Sequence, residues 1–166
     1  MRSIISAGAR FVLLDAALTQ LPLTSSDIGL PLNWRYGPAS ADLGDATYAS
    51  ATHAFQAVGL RPLSPVHIRG RRIGGDIDIS WIRRTRSGGD NWLSPEVPLA
   101  EAEERYEIDI LSGPVVVRTI AANAPGIVYT AAEQIADFGA TQASVSLSIT
   151  QTSPAYGRGA ARTAVV

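Results

Sequence analysis

From Leu63 to the C-terminus, apolar and polar residues alternate again and again with a period of two. This is the pattern of half-buried strands, because successive side chains on a strand leave opposite faces of the sheet. Ile77, Ile79 and Trp81 fall on one face, with Asp78, Ser80 and Ile82 on the other. Tyr106, Ile108 and Ile110 alternate with Glu107, Asp109 and Leu111, and Val145, Leu147 and Ile149 alternate with Ser144, Ser146, Ser148 and Thr150. Val66 and Ile68 mark a shorter strand before the turn Gly74-Gly75, and the β-branched run Val115 to Ile120 starts after the turn Ser112-Gly113-Pro114. Thr163 to Val166 would pair at an edge. Short strands at this spacing, with no long helical pattern between them, predict an all-β antiparallel sandwich rather than an α/β fold. One helical signature interrupts them: Thr130-Ala-Ala-Glu133 reads as a capping box, and Gly139 as the stop after one or two turns.

The first sixty residues lack this regularity. Pro22, Pro31 and Pro38 interrupt them, Gly29 and Gly37 add turns, and Leu30, Leu32, Trp34 and Tyr36 alternate in between. The alanines of residues 45–57 suit a capped helix, whereas Thr47, Tyr48, Thr52 and Phe55 suit a strand, which is the preferred reading. Two prolines in Gly59-Leu-Arg-Pro-Leu-Ser-Pro65 mark a boundary. The expected organisation is therefore an N-terminal extended or β arm over residues 1–60, used for docking, and a sandwich over residues 61–166.

Composition narrows the function. With 166 residues, the chain has room for one ordinary domain and an appendage, and its 46% hydrophobic content is enough for a core. A net charge of −1 supplies no long-range attraction to nucleic acid or anionic lipid. No run approaches the length of a membrane span, and the apolar stretch Phe11 to Leu14 is cut short by Asp15, as a secretory signal would not be. The expectation is a soluble protein made in the cytoplasm. All 14 basic residues are arginine, which excludes P-loop and Schiff-base lysines, and the 0 cysteines exclude thiolate nucleophiles and Cys-based zinc sites.

No catalytic, cofactor or metal site is expected. His53 and His67 have no zinc-site spacing, and His67 falls on the outward phase of its strand. No serine sits in a nucleophile elbow. Asp76 and Asp78 share a strand face but lack a calcium-loop pattern, so a solvated face is the simpler reading. Arg83, Arg84 and Arg86 follow the Trp81 strand, and Glu96 to Asp109 carries six acids against one base. These arginines can neutralise that acidic stretch within the domain, pair with acids on a neighbouring subunit, or bind phosphate or sugar. Arg and Trp are also favoured at interface hot spots. The candidate partner contacts are therefore Arg83, Arg84, Arg86, Trp92, Tyr156 and Arg158.

Ser64-Pro-Val-His-Ile-Arg69, a glycine-rich turn and Asp76-Ile-Asp-Ile-Ser-Trp-Ile-Arg-Arg84 resemble strands A and B of a fibronectin type III domain, with Trp81 as the strand-B core tryptophan. The resemblance implies strand C at Tyr106, C′ at Val115 to Ile120, E at Ile127 to Tyr129, F at Val145 to Gln151 and G in the tail. Residues 84–104 form a long insertion between B and C. Several motifs in order extend the likeness: Val12-Leu-Leu-Asp15, Tyr36-Gly-Pro-Ala-Ser40, Gly59 to Pro65, Trp81 to Trp92, Val97-Pro-Leu99 and Glu104-Arg-Tyr-Glu-Ile108. Together they resemble the C-terminal part of the large baseplate or host-specificity protein of gene-transfer-agent-like siphophage tails. In that family the segment ends a longer chain with hub and TIM-barrel-like domains, whereas this sequence starts at its own Met1.

The resemblance implies a non-enzymatic virion component at the tail tip or baseplate. Its partners would be other tail-tip proteins, such as the hub and the distal tail protein, with multiple copies in a threefold or sixfold arrangement. The alternative it leaves open is a receptor-binding module. In that case the loops Arg86 to Trp92 and Tyr156 to Gly159 would touch a host glycan or outer-membrane protein.

Overall fold

The computed structural model describes residues 15–16, 18–91, 93 and 96–166. The chain divides into two compact units, Met1–Ala54 and Phe55–Val166.

In the first unit, strands β1 (Pro31–Tyr36) and β2 (Ala49–Ala54) form an antiparallel two-stranded ribbon, with Asn33 opposite Thr52 and Trp34 opposite Ala51. A strand over part of residues 45–57 thus wins over a helix. The connection packs on Tyr48, whose hydroxyl donates to the Pro38 carbonyl at 3.1 Å. The Tyr48 ring lies so close to Gly37 that a Cβ there would sit 2.6 Å from it, which is why no larger residue fits. None of the described residues of this unit is buried.

The second unit follows the alternation. Its strands are β3 (Val66–Ile73), β4 (Asp76–Ile82), β5 (Tyr106–Ser112), β6 (Val115–Ala122), β7 (Gly126–Tyr129), β8 (Ser146–Ser153) and β9 (Gly157–Val165), with helix α1 (Ala131–Phe138) between β7 and β8. One sheet has the order β3-β4-β7 and the other β6-β5-β8-β9, all pairings being antiparallel. In fibronectin terms this is A-B-E facing C′-C-F-G, and the unit is a fibronectin type III-like sandwich.

The core consists of the residues that the period-two pattern placed on one face, Ile77, Ile79, Trp81, Tyr106, Ile108, Ile110, Val145, Leu147 and Ile149, joined by Tyr129 of β7. Each large aliphatic side chain buried this way contributes about 1.5–3 kcal/mol. The Trp81 and Tyr106 rings meet edge to face, with centroids 5.1 Å apart and planes at 75°. Such pairs add about 0.5–1.5 kcal/mol beyond the area they bury.

Helix α1 begins as its sequence predicts. The Thr130 hydroxyl accepts the Glu133 N–H at 3.2 Å, Glu133 accepts the Thr130 N–H at 2.9 Å, and Gly139 ends the helix at φ 79°.

Three features depart from the simple alternation. Strand β3 runs on past Ile68 to Ile73 through a bulge, where His67 is exposed at φ 52°. Strand β9 is nine residues long rather than the short tail expected, because Gly, Ala and Arg carry almost no β signature. Leu60 to Pro65 also belongs to this unit: the Ala160 N–H donates to the Pro62 carbonyl at 2.9 Å, and Pro62 and Pro65 are both buried. Gly159 is required there, since a Cβ would lie 2.6 Å from the Pro62 carbonyl oxygen.

Candidate interaction site

The start of β5 lies opposite the end of β8, Tyr106 facing Gln151, so Glu103 and Arg105 stand beside the β8–β9 turn and line a groove with it. The insertion is pinned from its base. Arg83, with a side chain only 10% exposed, donates to the carbonyls of Pro98 (2.8 Å) and Val97 (3.0 Å) and to Glu96 (3.2 Å), and its Nε lies 3.6 Å from Glu104. Glu104 also accepts the Tyr106 hydroxyl at 2.6 Å. Burial, then this bond, push the Tyr106 hydroxyl far above the usual tyrosine range. A continuous chain of contacts therefore runs from the core indole of Trp81 through Tyr106, Glu104 and Arg83 to the insertion backbone.

The neighbouring arginines act in the same way. Arg86 donates to Glu101 at 2.8 Å and to the Ala100 carbonyl at 2.7 Å. Arg84 donates to the Ser64 carbonyl at 2.7 Å and its hydroxyl at 2.8 Å. Arg83 and Arg86 thus meet acids of the stretch Glu96 to Asp109 within the domain, whereas Arg84 is held by Ser64. Donors on backbone carbonyls and carboxylates are charge-assisted, and together they fix the loop more firmly than any single exposed ion pair would.

Arg158, on β9, binds Glu107 at 3.0 Å and also Asp109. Asp109 points to the outer face of its sheet but is only 7% exposed, since Arg158 covers it and the Thr119 hydroxyl donates to it at 2.7 Å. Half of the Arg158 side chain stays exposed. It lines an open groove with Glu103, Arg105, Glu107, Thr152 and Pro154. Tyr156 is half-buried in the turn beside this groove, and Trp92 lies outside the described residues. The groove brings guanidinium, carboxylate and hydroxyl groups together, an arrangement that can hydrogen-bond a polar ligand.

A second cluster ties α1 to the sandwich. Asp137 accepts Arg118 Nε at 2.6 Å and Nη2 at 2.8 Å, and the Tyr129 hydroxyl at 2.6 Å. The Arg118 bonds hold the Asp137 carboxyl below its ordinary range, while burial and the bond to Asp137 push the Tyr129 hydroxyl well up. Gln134, fully buried, donates to the Gly75 and Tyr129 carbonyls. Asp76 and Asp78 part company: Asp76 accepts the Ala131 N–H at the start of α1 (2.7 Å), and Asp78 pairs with Arg71 at 3.2 Å. His53 is exposed on β2. Among the described residues no three His, Cys, Asp or Glu side chains gather as metal ligands, and no helix is long and apolar enough to cross a membrane.

Sequence reasoning did not find the roles of Asp109, Glu104 or Asp137. Asp109 was the only one with a signal, as a carboxylate in mid-strand opposite a threonine.

A scan of protein-family models finds no match, and neither does a search of curated proteins. Among solved structures, the rat CD45 extracellular region, domains d3-d4, is similar over 100% of this chain and 79% of that chain, at 11% identity and a TM-score of 0.46. The fold assignment rests on the strand order and the core, not on this likeness.

Proposed function

We propose that the chain is a non-enzymatic structural component of a phage or gene-transfer-agent-like tail tip or baseplate, acting by protein–protein contact within the virion. The ordered motifs from Val12 to Ile108 suggest the location. The observation that carries the contact role is the first unit: a two-stranded ribbon in which no described residue is buried. A two-stranded ribbon on its own is marginal in water, and laying its strands against another protein would stabilise it. Hub and distal tail proteins are the partners this reading implies, with multiple copies around the tail axis. Purified tail particles probed with an antibody to this chain test it; intact tails that lack the chain sink the proposal.

The groove at Arg105 and Arg158, beside Tyr156, favours a second reading, contact with a host glycan or outer-membrane protein. Tyr156→Ala and Trp92→Ala separate the two. Weakened assembly with normal adsorption favours the structural role, and lost adsorption on assembled particles favours the receptor role.

A further inference from the structure

Carboxylates are unevenly spread along the chain. Residues 46–75 and 138–166 contain no Asp or Glu, yet the first stretch carries Arg61, Arg69, Arg71 and Arg72 and the second Arg158 and Arg162. The fold brings the two stretches together on one flank of the sandwich. The Ala160 N–H donates to the Pro62 carbonyl, Arg61 donates to the Gly159 carbonyl at 3.3 Å, and Gly70 packs on Val166. Strand β3 of one sheet thus runs beside β9 of the other.

Five arginines of this flank have no carboxylate partner. Arg61 is bonded to a carbonyl, Arg72 donates to the Gln142 carbonyl, and Arg84 is held by the Ser64 carbonyl and hydroxyl. Arg69 and Arg162 are exposed and bond to no described residue. The residues outside the described ones include no Asp or Glu, so none of them can supply a carboxylate side chain. Elsewhere in the sandwich Arg83, Arg86, Arg105, Arg118 and Arg158 each meet an acid.

Apolar side chains stand among these cations. Leu63, Ile73 and Ile82 are 36%, 53% and 56% exposed, and on the outer face of the sheet Ile82 lies opposite Val66 while Arg69 lies opposite Ser80. Arginine beside exposed aliphatics, with no lysine, is the composition of a protein interface. A track for phosphates would be cationic throughout, and the net charge of −1 gives polyphosphates no long-range pull.

We propose that the β3–β9 flank binds an acidic peptide segment of a partner protein. The segment's carboxylates are taken by the five arginines, whose forks keep N–H donors to spare, and its apolar residues rest on Leu63, Ile73 and Ile82. Strand β4 provides an internal precedent, since Asp78, within Asp76-Ile-Asp-Ile79, pairs with Arg71 at 3.2 Å in antiparallel register. This docking does not depend on the tail-tip assignment.

Fluorescence anisotropy on the full chain tests the proposal, with a labelled synthetic peptide of interspersed Glu and Leu as the probe. The wild type is expected to bind it, and Arg69→Gln/Arg162→Gln to bind it about tenfold more weakly or worse. Val115→Glu/Val116→Glu makes the same change in net charge on β6, at the far edge of its sheet from β9, and should bind as the wild type does. Ile73→Ser/Ile82→Ser keeps every arginine and should also weaken binding. A wild type that does not bind the peptide overturns the proposal, and so do equal affinities for the two charge variants or full affinity in the isoleucine variant. Polyglutamate or single-stranded DNA bound as tightly as the mixed peptide overturns it too, since the flank would then select charge alone.

Discussion

The ribbon and the sandwich are both antiparallel β-structure with alternating apolar residues, yet among the described residues only the sandwich has buried ones. In the sandwich, the inward residues of two sheets close on each other and form a hydrophobic core of ten buried residues. In the ribbon, Leu32, Trp34 and Ala51 reach only partial burial on a single layer. Alternation is therefore necessary for a β core but not sufficient, because a second layer has to receive the apolar face.

The strongest test of this contrast truncates a tryptophan in each unit. Trp81→Ala is expected to destabilise the sandwich by about 3–5 kcal/mol, the usual cost of removing a large buried aromatic. Trp34→Ala removes nothing from that core and should shift the same transition by less than about 0.5 kcal/mol. Urea denaturation of the full chain measures both, and equal losses would break the distinction.

A smaller effect comes from the link between α1 and the sandwich. Asp137→Asn should cost about 1.5–3 kcal/mol, the range for hydrogen bonds to a charged group. The native Asp137 carboxyl titrates below its ordinary value of 3.8, so its contribution is complete above that value and fades as pH falls through the lower, folded one. Stability measured between neutral pH and pH 3 should therefore drop more steeply in the wild type than in Asp137→Asn.

The smallest effect on global stability should come from Arg83→Gln. It leaves the sheets intact and removes the bonds to Pro98, Val97 and Glu96. Limited proteolysis should then cut within residues 84–104 sooner than in the wild type, and an unchanged cleavage rate would show that the clamp does not hold the insertion.

The sandwich was largely legible because its physics is local. Ile77, Ile79 and Trp81 declare an inward face by spacing alone, and Thr130, Glu133 and Gly139 specify a helix start and stop within ten residues. What stayed hidden depends on residues far apart in sequence. Nothing near Arg84 points to Ser64, and nothing near Asp109 points to Arg158, 49 residues away. Only the end of strand β9, from Thr163, was recognised, because pairing with β8 rather than its own Gly-Arg-Gly-Ala-Ala composition makes the rest a strand. For the candidate contacts, the sequence named the arginines but not which of their bonds are already satisfied inside the domain.

The segment holding Pro62 against β9 also fixes how the polypeptide is threaded. Pro62 meets the start of β9 at Gly159 and Ala160, whereas Gly70 packs on Val166 beyond the other end of that strand. The first and last strands of the sandwich thus advance side by side in the same direction, and the backbone comes in at one pole and goes out at the opposite one. Threading of this kind sets the two ends of the sandwich apart by the length of its strands.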